Sequence, residues 1–302
     1  MVVVFSQVAS LFIFIVIGYL LSLCSIVKRE HATVLSRMLV WVFLPANVLK
    51  TFAKNCTVEY ISQHFSLIII STAVVLALVI IMHFVAKLFS RDSYDRAIYE
   101  YSLIIPNYGY MGYAMAESVL GQIGLMNAMM FAVPMSVYVY SAGYCMLSKK
   151  KMEFKSLVNP IMVFMVIGMA LGLSGIGSVI PEFVYSLLDR ASACMAPVSM
   201  LLAGIVVSEF DVKKMLSCVR VYILTALRLF VIPVAIGGVI MLLGFSTAAK
   251  VAVLLYCMPC GLNTIVFAKN VGGNCEIGAS SALISNVLAC ISIPVVCAIF
   301  NI

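Results

Sequence analysis

Residues 104–112 read Ile104-Ile105-Pro106-Asn107-Tyr108-Gly109-Tyr110-Met111-Gly112, which sets a helix breaker, an asparagine and two glycines inside an apolar stretch of membrane-spanning length. A helix in lipid must satisfy its backbone polar groups internally, so an interruption at this depth requires surrounding protein or a water-filled cavity. A second interruption, Cys257-Met258-Pro259-Cys260-Gly261-Leu262-Asn263-Thr264, falls near the middle of another apolar stretch, with Pro259 153 residues after Pro106. Paired interruptions of this kind point to a binding site between two halves of a transporter. The remainder of the chain can be read outward from that pair.

With 64% hydrophobic and 10% charged residues over 302 positions, the chain has too little polar surface for a water-soluble globule of this size. It reads as an all-α integral membrane protein whose apolar stretches use nearly the whole length, leaving no soluble domain. Ten spans are expected at Val4 to Leu23, Val34 to Phe52, Phe65 to Ala86, Ala97 to Leu120, Leu125 to Leu147, Leu157 to Ile180, Ala191 to Ser208, Val219 to Leu243, Val251 to Ala268 and Ile277 to Phe300. The first has no basic residue before it, as expected of a retained span rather than a cleaved leader. The ten cysteines lie mostly in apolar surroundings and read as small buried hydrophobes, Cys257 and Cys260 included. No metal site, cofactor or nucleic-acid partner is expected. No phosphate loop, zinc pattern or nucleophile elbow suggests an enzyme.

Basic residues test the span map. In alternate loops, one side carries Lys28, Arg29, Arg37, Lys87, Arg91, Arg96, Lys149, Lys150, Lys151, Lys155, Lys213, Lys214, Arg220 and Lys269, and the other only Lys50, Lys54, Arg190 and Lys250. Fourteen against four makes the first side cytoplasmic and places both termini outside the cytoplasm, in a multi-pass protein of the cell membrane.

Proline spacing suggests a repeat. Pro45 to Pro106 is 61 residues and Pro197 to Pro259 is 62, while Gly121 and Gly273, like Pro45 and Pro197, stand 152 apart. A first repeat over residues 1–147, a cytoplasmic linker at 148–156 and a second repeat over 157–302 follow. Five spans per repeat is an odd number, so the repeats are inverted, and the broken fourth and ninth helices cross near the midplane.

After each break the helix restarts, presenting unpaired N–H groups and a partial positive charge within the membrane, an arrangement that favours an anion. Asn107 and Asn263 stand at these restarts, where they cap the half-helices, contact a ligand, or do both. Tyr108, Tyr110 and Thr264 could line the same cavity. Arg228 lies close to the centre of the eighth span, where a lone charge is unfavourable by about 2.5 to 3.5 kcal/mol on insertion scales. Glu100 comes to a similar depth and is its expected partner, with pairing of Glu100 to Arg96 as the alternative. Both are candidates for coupling. Lys269 is expected to snorkel to the cytoplasmic surface, and His64 and His83 to be interfacial.

Pro106-Asn107-Tyr108-Gly109-Tyr110-Met111-Gly112 and Met258-Pro259 through Phe267-Ala268-Lys269 resemble motifs of the auxin efflux carrier family, including its short bacterial members. Leu44-Pro45, Asn159-Pro160, Ala196-Pro197 and Ala203-Gly204 add shorter matches in the same order along the chain. The resemblance implies ten spans with crossed fourth and ninth helices, and a transport domain of spans three to five and eight to ten moving against the rest. It also implies an organic-anion substrate, and it carries Pro106, Asn107 and Pro259 over as crossover residues. Ala114 stands where the family often has Pro, and the long hydrophilic loop of many plant carriers is absent. The expected function is alternating-access transport of a small mono- or dicarboxylate, such as malate or malonate, bound by Pro106, Asn107, Tyr108, Tyr110, Pro259, Gly261, Asn263 and Thr264. A coupling H+ or Na+ and a homodimer are both compatible with the sequence. A sodium symporter of the bile acid type and a non-transporting sensor are the alternatives.

Overall fold

The computed structural model describes residues 2–28, 30–149, 160–269 and 275–302. Most of the linker 148–156, Asn159, Gly273 and the side chain of Lys269 lie outside what is described. Among the described residues the protein is helical, with no strand beyond an isolated antiparallel bridge between Pro106 and Cys260. Seven helices among the described residues are long and apolar enough to cross a membrane: Val4–Leu23, His31–Asn55, Ser66–Ala86, Tyr108–Ser148, Glu182–Val207, Val219–Leu242 and Glu276–Ile299. Pro160–Leu173 and Ser246–Tyr256 are shorter apolar helices. The longest, Tyr108–Ser148, is interrupted at Gly121, whose φ of +70° and ψ of −169° turn the chain in a conformation that an L side chain resists. That break falls between the expected boundaries Leu120 and Leu125.

Two boundaries differ most from expectation. The helix expected from Ala191 begins at Glu182, because an amphipathic segment, Glu182–Ala193, runs through Cys194, itself in helical φ/ψ, into Met195–Val207. The helix expected to reach Ile180 stops at Leu173, where Gly175 (φ +76°) leads into a 3-10 turn at Ile176–Val179. Wider π turns precede two of the prolines, at Leu39–Phe43 before Pro45 and at Leu227–Val231 before Pro233. Proline has no N–H to return to the preceding turn, so the local hydrogen-bond pattern shifts there.

The distribution of polarity is that of a protein dissolved in lipid. Leu242 is 89% exposed and Leu88 85%, while Arg228 is wholly buried and Lys50 is 6% exposed. Apolar side chains on the outside and charge on the inside are stable only where the solvent is hydrocarbon.

Small residues set the closest helix contacts. Val2–Leu23 packs on Met195–Val207 so tightly that a Cβ on Gly204 would lie 2.0 Å from the Ile15 carbonyl oxygen, and one on Gly18 2.2 Å from that of Leu201. Pro160–Leu173 packs on Leu44–Asn55 in the same manner, a Cβ on Gly172 falling 2.5 Å from the Cys56 carbonyl oxygen. With no hydrophobic drive between helices in lipid, such backbone approach is what provides the dispersion contact.

Candidate functional site

The helix Ser93–Ile104 starts on Asp92, whose carboxylate accepts from the N–H groups of Tyr94 and Asp95, both at 2.9 Å. It ends where Ile105 turns extended, ahead of Pro106. The chain restarts as a π turn, Tyr108–Gly112, in which Met111 and Gly112 donate to the Asn107 carbonyl at 3.3 and 3.0 Å. The N–H groups of Tyr108, Gly109 and Tyr110 precede these bonds and have no acceptor within the turn. The second interruption separates Ser246–Tyr256 from Asn263–Lys269. The two interruptions meet: the Asn107 N–H donates to the Pro259 carbonyl at 2.8 Å, within the Pro106–Cys260 bridge. Each extended segment thereby supplies a backbone partner that the broken helix can no longer offer.

Beside this junction lies a cavity of about 40 Å³, room for a few water molecules. Pro106, Asn107, Tyr108, Tyr110, Gly261 and Asn263 line it, together with Leu44, Gly109, Tyr113, Ser136, Tyr140, Ile161 and Leu262. Of the eight residues named from sequence, Pro259 and Thr264 do not reach it. Pro259 is occupied through its carbonyl with Asn107, and Thr264 is buried against Gly278, its hydroxyl near the Gly261 carbonyl at 3.4 Å. Among the described residues the lining contains no ionisable acid or base other than the phenols.

Asn107 is 6% exposed, and among the described residues its side-chain amide has no hydrogen-bond partner and does not cap the helix it starts. The capping alternative therefore does not describe Asn107. Asn263 instead donates from Nδ2 to the Tyr101 hydroxyl at 2.8 Å. Tyr108 and Ser136 share a hydrogen bond at 2.8 Å, and the Tyr108 and Tyr113 rings meet edge to face at 5.9 Å. Sequence reading missed Tyr101, Tyr113, Ser136, Tyr140 and Ile161. Tyr101 and Tyr113 flank the break at about one helical turn, which is a usable signal, whereas the others come from elements that only folding brings near.

The Arg228–Glu100 pair expected from depth is not formed. Glu100 Oε2 lies 3.3 Å from His83 Nδ1, and Arg96 donates to the Arg91 carbonyl rather than to Glu100. Arg228 donates from Nη1 to the Leu103 carbonyl at 2.9 Å, and its guanidinium carbon lies 5.5 Å from the centre of the Tyr256 ring. Depth counted along two helices gives their height but not their mutual azimuth, and the facing surfaces here are Arg228 and the end of Ser93–Ile104. His64 stacks on Tyr60, ring centres 4.3 Å apart.

The sequence profile of the family described as membrane transport protein matches the chain twice, over residues 3–156 and 147–297. The chain belongs to this family, that of the auxin efflux carriers. It is also 23% identical over 213 residues to an uncharacterized transporter of Methanocaldococcus jannaschii, a match covering 67% of this chain and 68% of that protein. As a membrane transport protein, the chain has its paired interruptions within the two matched regions, one in each.

Proposed function

We propose that the protein is a secondary transporter that carries a small organic anion, a mono- or dicarboxylate such as malate or malonate, by alternating access across the cell membrane. The observation that carries this reading is the cavity at the paired breaks. A buried, unpartnered Asn107 amide opens into it next to the free N–H groups of a restarting helix. Neutral donors and the positive end of a helix dipole suit a carboxylate without requiring a fixed cation in the site. At about 40 Å³ the cavity is smaller than such a substrate, so binding requires the surrounding helices to separate.

The architecture proposed with it is ten spans in a five-plus-five inverted repeat, 1–147 and 157–302, joined by the linker 148–156. It is supported by the double match to the family profile and by the packing pairs. Val2–Leu23 with Met195–Val207, and Pro160–Leu173 with Leu44–Asn55, exchange with each other when the two halves are interchanged. The charge asymmetry orients both termini outside the cytoplasm. The test is a panel of carboxylates, malate and malonate among them, scored for thermal stabilisation of the purified protein and then for uptake into proteoliposomes. Saturable uptake of at least one is expected; no stabilisation and no uptake by any carboxylate would overturn the reading.

A further inference from the structure

Arg228 is the fully buried cation of the described chain, and no carboxylate lies within ion-pair distance of it. Of its donors, Nη1 is bonded to the Leu103 carbonyl, while Nε and Nη2 have no hydrogen-bond partner among the described residues. The acceptor is informative. In an unbroken helix the Leu103 carbonyl would receive the Asn107 N–H, but that N–H is turned to Pro259. Arg228 therefore takes up a carbonyl that the break has orphaned. Its guanidinium also lies over the ring of Tyr256, the last residue of the second pre-break helix, Ser246–Tyr256.

Each pre-break helix ends with about half a negative elementary charge, and two such ends sum to about one. One guanidinium balances them without a carboxylate. The face of the Tyr256 ring adds an attraction of the same sign.

In transporters built on paired broken helices, unwound carbonyls and half-helix C-terminal ends are the groups that coordinate a coupling Na+. We infer that Arg228 is a resident counter-cation at this place: it holds the C-terminal ends of the two broken helices together and does the electrostatic work that a bound small cation would otherwise do. It is a positioning residue, since it does not line the cavity. The inference rests on the transporter reading of the site, and it removes Na+ as a requirement for a competent anion site.

The test measures melting temperature and malonate affinity of the purified protein in NaCl and in choline chloride at equal ionic strength, for wild type, Arg228→Lys and Arg228→Met. Wild type and Arg228→Lys should show the same values in both salts. Arg228→Met should melt lower and bind malonate about tenfold more weakly in choline. It should recover part of both losses in Na+ or in sub-denaturing guanidinium, small cations able to enter the vacated position. Should Arg228→Met not survive extraction, Arg228→Gln takes its place in the same titration. Stabilisation of the wild type by Na+ over choline would overturn the inference, as would a neutral variant that matches wild type or that gains nothing from either small cation. Absence of malonate binding to the wild type, with the melting temperatures behaving as expected, would count against the proposed substrate and leave the role of Arg228 supported.

Discussion

Asn107 and Asn263 both stand where a helix restarts after a break, one residue beyond Pro106 and four beyond Pro259, yet their amides are in different states. Asn263 is held by the Tyr101 hydroxyl and Asn107 by none of the described residues. Replacing Asn107 by Ala should leave the melting temperature nearly unchanged, because no intramolecular bond is lost, and should lower carboxylate affinity by about 1 to 3 kcal/mol where a buried ligand oxygen loses its donor. Asn263→Ala should lower both, since it also frees the buried Tyr101 hydroxyl. Calorimetric binding and thermal melts on the same preparations separate the two. Equal destabilisation by both substitutions with affinity unchanged would remove Asn107 from the site. Gly261 offers a steric probe, for a Cβ there would sit 3.7 Å from the Asn107 Cα, an ordinary contact. Gly261→Ala should fold normally and bind more weakly by narrowing the cavity.

At the level of elements, the two interruptions are joined by the Pro106–Cys260 bridge with its Asn107 N–H to Pro259 carbonyl bond, whereas Val2–Leu23 with Met195–Val207 and Pro160–Leu173 with Leu44–Asn55 are held by glycine-mediated contact. Gly204→Leu would drive a side chain into the Ile15 carbonyl and the Tyr19 N–H, 2.0 and 2.6 Å from the Cβ position, both of them rigid backbone. A loss of about 1 to 3 kcal/mol or failure to fold is expected, measured as a lower melting temperature or as aggregation on size-exclusion chromatography. Gly238, with nothing within 4 Å of its Cβ position, should accept Ala without loss and serves as the control.

Across the whole molecule, Lys50 joins three helices. Its ammonium lies 2.9 Å from Asp189 Oδ1 and 3.8 Å from Glu117 Oε1, with Asp189 on Glu182–Val207 and Glu117 beyond the first break. Partial exposure of both acids limits each pair to about 1 kcal/mol or less. A double-mutant cycle on Lys50 and Asp189 should show the larger coupling, and that on Lys50 and Glu117 the smaller one, with both declining as salt rises. The reverse order would contradict the geometry. Topology is testable at the same scale. Cysteine placed at Lys54 should react with an impermeant maleimide on intact cells and cysteine at Lys87 only after permeabilisation, given a background in which exposed native thiols are replaced. The opposite pattern would invert the orientation.

Much of this protein is legible without coordinates. A chain this apolar must place its backbone in helices because lipid offers no other hydrogen-bond partner, so composition alone decides the class. Pro106 and Pro259 mark the breaks because a missing N–H is a local property. Residues next to the breaks, Asn107, Tyr108, Tyr110, Gly261 and Asn263, therefore reached the cavity as expected from position. The partners of buried charges could not be read in this way. Arg228 and Glu100 were matched by depth, a coordinate that helical rise supplies. Their partners, the Leu103 carbonyl and His83, are selected by the rotation of one helix about its axis against another. That rotation is set by packing over the whole length of both helices, between residues far apart in the chain. Local rules determine where a helix stops; only the assembled bundle decides what its freed carbonyl meets.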